Sequence, residues 1–94
     1  MIADSSGFRW LGIAGTNQVV MGEAMTFLAG TRLRAASPLP CRFTILKDGS
    51  SCIQQEGREL DWSPAGPGKY RVEAELKIRR QWIPWVYANP IELR

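Results

Sequence analysis

Apolar and charged residues alternate without a break over residues 69–78. Five apolar residues share one side of this segment: Tyr70, Val72, Ala74, Leu76 and Ile78. The residues between them are all charged and carry both signs. A period of two with one apolar face predicts a half-buried antiparallel strand. The mixed charges on the other face indicate a solvent-exposed surface rather than a binding patch.

Residues 41–55 have the pattern of a β-hairpin, with a turn signal between two strand-like runs. The Lys-Asp-Gly sequence at 47–49 suits a three-residue turn in which Gly49 is left-handed. This register would place Phe43 opposite Ile53, so that two apolar residues meet across the ladder. A two-residue turn would direct Ile53 to the other face. The sequence therefore predicts the three-residue turn.

The same register determines what we expect of the two cysteines. It places Cys41 opposite Gln55 and Cys52 opposite Thr44, several residues apart and on opposite faces of the hairpin. A disulfide needs Cα atoms within about 7 Å of each other. We therefore expect two free thiols, with Cys41 the more buried. Free thiols fit the cytoplasm or any compartment that does not require disulfides, so the sequence leaves the localisation open.

Short apolar runs separated by glycine, proline, aspartate and serine make up the rest of the chain, and long helical periodicity is missing. The Pro-Leu-Pro sequence at 38–40 predicts a corner. Further strand patterns occupy residues 8–14, 18–21, 24–29, 31–37, 59–62 and 84–94. About seven strands with turn signals every ~8–12 residues favour an immunoglobulin-like antiparallel β-sandwich. We expect residues 1–94 to form one such all-β domain.

Two features of the second half predict local contacts. A glycine-rich turn before Tyr70 is the usual setting of a tyrosine corner, so the Tyr70 hydroxyl should bond backbone a few residues upstream, near Trp62. The closing strand should pair beside residues 69–78. Asn89 and Pro90 predict a bend within that closing strand, because proline has no amide to donate. The Asn89 side chain could then satisfy backbone groups that the bend leaves open.

Composition removes several classes of chemistry. The chain has no histidine, which excludes Ser-His-Asp triads and histidine metal sites within it. Its two cysteines lack the C-x-x-C spacing of zinc sites. Glu59 and Asp61 share a strand face, and this arrangement is explained by the alternation of exposed polar and buried apolar residues along a strand. We therefore predict no catalytic residue, no metal ligand and no cofactor.

The net charge of +3 permits contact with an anion or a nucleic acid without requiring it. Arg32, Arg34, Arg79 and Arg80 are the candidates for weak nucleic-acid binding. No apolar run approaches the ~20 residues that span a bilayer. The start of the chain also lacks the features of a signal peptide. No membrane association is therefore expected.

The chain has four tryptophans: Trp10, Trp62, Trp82 and Trp85. Exposed tryptophans could form a sugar-stacking platform, as in carbohydrate-binding modules. Trp82 and Trp85 could also combine with Arg79 and Arg80 in a basic, aromatic patch for single-stranded nucleic acid. The structural alternative places Trp62 and Trp85 in the core. Trp82 would then cover an edge or contact a neighbouring domain, as apolar clusters rimmed by charge often do.

The second half of the chain resembles the C-terminal β-sandwich domain of PHP-type metal-dependent phosphoesterases. The resemblance rests on Lys-Asp-Gly at 47–49, on Gly-Lys-Tyr-Arg-Val-Glu at 68–73 and on Trp-Val-Tyr-Ala-Asn-Pro-Ile at 85–91. Met-Gly-Glu at 21–23 is a looser match, so the resemblance extends over residues 20–94.

This resemblance implies a non-catalytic accessory domain at the C-terminus of a larger bacterial protein, acting in domain packing or substrate access. The metal ligands of that family are histidine and aspartate residues of the catalytic domain, and none of their motifs occurs in this chain. The expected partner is the catalytic domain of the same protein. A carbohydrate-binding module is the alternative interpretation, and weak nucleic-acid binding is a further one.

Overall fold

The computed structural model describes residues 7–94, and all the regular structure in that part of the chain is β-strand. The strands are β1 (Arg9–Ala14), β2 (Asn17–Val20), β3 (Ala24–Met25), β4 (Arg32–Lys47), β5 (Ser50–Trp62), β6 (Gly68–Ile78), β7 (Gln81–Tyr87) and β8 (Ile91–Leu93). The all-β class predicted from the alternating patterns is therefore confirmed.

All eight strands belong to one continuous sheet. The main path through it runs β2-β1-β4-β6-β8-β3, with β5 added to β4 and β7 added to β6. The two ends of this path, β2 and β3, are neighbours in sequence and are joined by a tight turn in which the Glu23 amide donates to the Val20 carbonyl at 3.1 Å. The sheet is thus curled until it is nearly closed.

Strand β4 connects the two halves of the molecule. Its first half pairs with β1 and its second half with β6, while β5 follows it on the other edge. Between the two halves, Ala36 pairs with Glu59 and Cys41 pairs with Gly57, so residues 37–40 face a single residue of β5. Two of these four residues are prolines, which cannot donate to a ladder. The predicted corner is therefore present, but it bends one strand instead of separating two.

The core cluster draws its buried side chains mainly from β1, β4, β5, β6 and β8. Strand β6 contributes the predicted alternation, with the residues from Tyr70 to Leu76 buried in turn, whereas Ile78 at its end is 40% exposed. The largest fully buried side chains are Trp10, Tyr70, Phe43, Leu33, Ile45, Leu60, Ile91 and Leu93. Each apolar side chain of this size contributes about 1.5–3 kcal/mol when it is fully buried.

The predicted register of the β4–β5 hairpin is wrong. The turn has two residues, Asp48 and Gly49, which both have positive φ (49° and 88°), the conformation of the tight hairpin turn that Asp-Gly favours. Such a turn alone would direct Ile53 away from the core. A bulge at Cys52 adds one residue, so that Ile45 pairs with Ile53 on the inner face.

The bulge also changes the neighbours of the cysteines. Phe43 lies opposite Gln55 rather than Ile53, and Cys41 lies opposite Gly57 rather than Gln55. Both thiols are nevertheless free, with Cys41 buried and Cys52 exposed. That outcome confirms the prediction of two free thiols, although the register that led to it was wrong.

The closing segment forms two strands, β7 and β8, which lie one after the other beside β6. Residues 88–90 lie outside both strands, although the Ala88 amide still donates to the Val72 carbonyl at 3.0 Å. The regular pairing is thus interrupted at the Asn89-Pro90 step, where the sequence predicted a bend. The Pro90 carbonyl accepts the Gly22 amide at 2.8 Å, and β8 then pairs in parallel with β3. This pairing on both edges of β8 holds the terminal segment. The predicted contact of the Asn89 side chain stays a prediction.

Strand β3 is shorter than the predicted segment 24–29. Regular pairing covers only Ala24–Met25. The chain still runs beside β8, because the Phe27 amide donates to the Arg94 carbonyl at 2.8 Å and the Arg94 amide donates to the Met25 carbonyl at 2.9 Å.

The predicted hydrogen bond from the Tyr70 hydroxyl to upstream backbone is present. The Tyr70 hydroxyl donates to the Gly66 carbonyl at 2.7 Å, across the turn that precedes β6. The Trp62 ring packs edge-on against Tyr70, with 5.9 Å between ring centroids. The corner therefore ties the end of β5 to the start of β6, as the sequence predicted.

Candidate binding cleft

An open cleft with a volume of about 660 Å³ lies beside the bend of β4. Its walls are largely apolar and are formed by Leu39, Pro40, Leu76, Ile78 and Trp82, with Cys41 at its base. We call this the Trp82 cleft. A volume of this size is within the range of ligand-binding pockets in proteins.

The cleft exists because the β6–β7 hairpin extends beyond the covered part of the sheet. Pairing between β4 and β6 stops at Arg42 and Glu75, whereas β6 continues to Ile78 with only β7 beside it. The bend at 37–40 removes the strand that would otherwise lie there. On the apolar face of this extension Leu76 is still buried, whereas Ile78 at the end of the strand is 40% exposed.

Trp82 is held in place by cations on its ring. The Arg42 guanidinium lies 4.4 Å from the ring centroid, and the Lys77 ammonium lies 5.7 Å from it. Arg42 is itself fixed, because its Nε and Nη2 donate to Glu75 Oε1 at 3.0 and 2.7 Å. Each cation–π contact contributes about 0.5–1 kcal/mol at a partly exposed site. The ring is thus positioned at the cleft without being part of the core cluster.

The other tryptophans have different surroundings. Trp85 packs against the core cluster and makes an edge-on contact with Phe8 at 5.9 Å between ring centroids. Trp62 packs on the same cluster, and Trp10 is 1% exposed. This arrangement agrees with the structural alternative for Trp62 and Trp85. The four rings do not form a shared platform.

The four candidate arginines fall into two separate pairs. Arg32 and Arg34 lie on the first half of β4, where both bind Asp61, at 2.7 and 3.0 Å. The hydrogen bond from Arg32 is the main reason why the pKa of Asp61 lies below its ordinary value. Arg79 and Arg80 form the exposed turn between β6 and β7, next to the cleft.

The Arg79-Arg80 turn has a backbone that arginine disfavours. Both residues have positive φ, 52° and 69°. Ile78 and Gln81 pair directly across the turn, so it has two residues and the same form as the Asp48-Gly49 turn.

Leu39, Pro40 and Arg42 are site residues that the sequence did not indicate. Their position depends on the pairing of Arg42 with Glu75, which joins strands more than thirty residues apart along the chain. The alternation of apolar and polar residues within one segment does not predict pairing between strands that far apart in sequence. Cys41 also belongs to the cleft, and burial raises the pKa of its thiol.

Within residues 7–94, no three histidine, cysteine, aspartate or glutamate side chains lie close enough together to hold a metal ion. The same residues include no helix of the length and apolarity needed to cross a membrane.

Comparison with known proteins finds no matching protein family, no similar curated protein and no similar solved structure. The resemblance to the domain found in PHP-type phosphoesterases thus remains a hypothesis based on the quoted motifs.

Proposed function

We propose that this chain is a non-catalytic accessory domain that docks onto a neighbouring protein domain through the Trp82 cleft. In this proposal the fold is a variant of the immunoglobulin-like sandwich, and the parent is a bacterial PHP-type metal-dependent phosphoesterase with this domain at its C-terminus. Docking would act in domain packing or in shaping access to the substrate.

The observation that carries the proposal is the apolar, open cleft around a positioned tryptophan. Leu39 is 36% exposed and Ile78 is 40% exposed, so two large apolar side chains of the cleft that Trp82 also lines contact water. Contiguous apolar surface rimmed by charge is typical of protein interaction sites. Tryptophan and arginine are the residues most enriched where binding energy is concentrated.

The bend of β4 supports the sandwich interpretation. The first half of β4 pairs with β1 and the second half with β6, so one strand contributes to two groups of strands. In orthogonal packings, strands pass between two layers through such bends and bulges.

The coding sequence upstream of this chain provides the first test. The proposal expects a histidine-rich catalytic domain there and fails if none is encoded. The decisive measurement is the affinity between that domain and this chain, supplied as separate polypeptides. Trp82→Ala should weaken the association at least about tenfold, as expected for a central interface residue. Tyr87→Ala, at an aromatic that is 65% exposed outside the cleft, is the matched control and should leave the affinity unchanged.

The two alternative functions are less well supported by the geometry. A sugar-stacking site needs an open ring face, whereas the Arg42 guanidinium and the Lys77 ammonium lie against the Trp82 ring. A nucleic-acid site would use all four arginines, whereas Arg32 and Arg34 already bind Asp61. Tryptophan fluorescence during polysaccharide titration tests the first alternative. Salt-dependent binding of a single-stranded oligonucleotide tests the second.

A further inference from the structure

We propose that the Trp82 cleft recognises an acidic polypeptide segment with an apolar anchor, and that the Arg79-Arg80 turn binds its carboxylates. This inference rests on the proposed docking function and specifies the chemistry of the partner. The apolar anchor would occupy the space between Leu39 and Ile78, and acidic residues on either side would meet the basic rim.

The rim of the cleft has an excess of positive charge. Lys77 lines the cleft, and Arg79 and Arg80 follow it at the tip of the same hairpin, all with exposed side chains. Among the described residues these three cations have no carboxylate partner, whereas Arg42 binds Glu75. Glu56 is the acidic residue of the lining. A surface of this sign favours an anionic partner and disfavours a basic one.

The strained turn is a second, independent observation. Two-residue hairpin turns with positive φ at both positions prefer Asn-Gly or Asp-Gly, and the β4–β5 hairpin of this chain uses Asp48-Gly49 in that way. The β6–β7 hairpin has the same backbone form but places Arg79 and Arg80 in it. Residues that occupy an unfavourable backbone conformation often serve function rather than folding. The contrast within one molecule indicates that these two side chains are used for binding.

The walls of the cleft favour a polypeptide over a nucleic acid. The cleft is largely apolar, which suits a leucine-like side chain and leaves the hydrogen-bonding groups of a base without partners. The Trp82 ring already carries the Arg42 guanidinium at 4.4 Å, so it is not an open stacking surface. An apolar residue flanked by carboxylates would pack against the apolar walls and pair its charges with the basic rim.

The probe for this proposal is a fluorescent peptide with two adjacent leucines flanked by glutamates. Two comparison peptides replace the glutamates with glutamines or the leucines with alanines. Fluorescence anisotropy with the 94-residue chain should show saturable binding of the first peptide. Each replacement should weaken binding at least about threefold, and the preference for glutamate should shrink as salt shortens the range of charge interactions. Equal binding of the glutamine peptide, or no saturable binding of any peptide, would overturn the proposal.

Variants at the turn separate charge from backbone form. Arg79→Asn with Arg80→Gly keeps a favourable turn and removes both charges, so the preference for the glutamate peptide should fall about three- to tenfold. Arg79→Lys with Arg80→Lys should retain the preference. The control removes two positive charges, Lys69 and Arg94, by substitution to glutamine. Lys69 lies eight residues from Lys77 along β6, about 26 Å away, so this control should leave the preference unchanged.

Trp82→Ala distinguishes this inference from the docking function on which it rests. If Trp82→Ala abolishes binding of both the glutamate and the glutamine peptides, the cleft is the docking site. If the Asn-Gly turn variant then keeps the full preference for glutamate, the proposed role of Arg79 and Arg80 is wrong while docking stands. If Trp82→Ala changes neither peptide, the docking function itself fails. A single-stranded oligonucleotide that binds more tightly than every peptide would replace the polypeptide partner with a nucleic acid.

Discussion

At the residue scale, two aromatic residues show how one side chain can connect distant parts of this chain. The Tyr70 hydroxyl donates to the Gly66 carbonyl at 2.7 Å while its ring lies in the core. Trp82 has the opposite arrangement, because its ring lies at the surface under two cations. The Tyr70 side chain therefore contributes to stability, whereas the Trp82 side chain is the one that we propose contacts a partner.

Tyr70→Phe should lower the free energy of unfolding by about 1–2 kcal/mol. The substitution removes one hydrogen bond and leaves the Gly66 carbonyl without that donor, while it keeps the buried ring. Urea denaturation followed by tryptophan fluorescence measures the change. Tyr87→Phe is the matched control, because Tyr87 is 65% exposed, and it should change stability by less than about 0.5 kcal/mol. Equal effects of the two substitutions would contradict the tyrosine corner.

The two thiols should differ in reactivity. An alkylating reagent at neutral pH should modify Cys52, which is exposed, and should modify Cys41 only when the protein unfolds. Mass spectrometry of the intact protein distinguishes one adduct from two. Rapid modification of both thiols under native conditions would show that the base of the Trp82 cleft is open to solvent.

Stability should also fall at alkaline pH. Burial raises the pKa of Cys41 and of Tyr70, so the folded state holds these protons more tightly than the unfolded state does. This contribution is fully present below the ordinary thiol pKa of about 8.5 and is lost as the pH rises through the folded values. Thermal unfolding as a function of pH should show the decline, and Cys41→Ala should make it smaller. An unchanged alkaline profile in that variant would exclude Cys41 as a cause.

At the element scale, the alternation of apolar and polar residues predicted the extent of a strand but did not predict a bulge or the register that the bulge sets. Strand β6 follows the predicted boundaries closely, because its apolar face repeats every second residue. The β4–β5 register was wrong because the bulge at Cys52 leaves no mark in the apolar pattern. Asp48-Gly49 favours a two-residue turn, and Ile53 faces the core. Both conditions hold at once only because the bulge adds one residue to β5.

Arg79→Asn with Arg80→Gly should raise the free energy of unfolding by about 1 kcal/mol. Left-handed conformations cost ordinary residues about 1–2 kcal/mol each, and asparagine and glycine adopt them more readily. Chemical denaturation of the variant and of the unchanged chain measures the gain. Arg79→Lys with Arg80→Lys keeps the strain and should show no such gain. A loss of stability in the Asn-Gly variant would contradict the strain that the φ values indicate.

At the scale of the whole molecule, closure of the sheet depends on a close approach at Gly12. A side chain at this position would meet Val19, Met25 and Ile91, with the nearest atoms 3.1–3.4 Å from an added Cβ. Strands β1, β2, β3 and β8 therefore converge on one residue that has no side chain. This convergence was not predictable from local patterns, because it joins residues at opposite ends of the sequence.

Gly12→Val should destabilise the protein by about 1–3 kcal/mol, the usual cost of overfilling a packed interior. The added methyl groups would push against Val19 and Ile91 and so separate the strands that close the sheet. Thermal unfolding measured by circular dichroism gives the change. Gly66→Ala is the control, because a Cβ there meets no atom within 4 Å. Similar stability of the two variants would mean that the strands around Gly12 are not closely packed.

The candidate site also combines residues that are close in sequence with residues that only strand pairing brings together. The sequence pointed to Trp82, Arg79 and Arg80, because an apolar cluster and two arginines occur together in a short turn region. It did not point to Leu39 or Arg42, which reach Trp82 only through the bend of β4 and its pairing with β6. The cleft is a property of the assembled sheet rather than of any one segment.

The most direct test of the central claim is nuclear magnetic resonance of the labelled chain during titration with the glutamate–leucine peptide. We expect the indole N–H signal of Trp82 to move, along with backbone signals of residues 39–41 and 76–82, while the indole signals of Trp10 and Trp62 stay in place. Assignment through Trp82→Phe identifies the indole signal. Shifts centred on Arg32, Arg34 and Asp61, or an unmoved Trp82 signal at saturating peptide, would contradict the docking function of the Trp82 cleft.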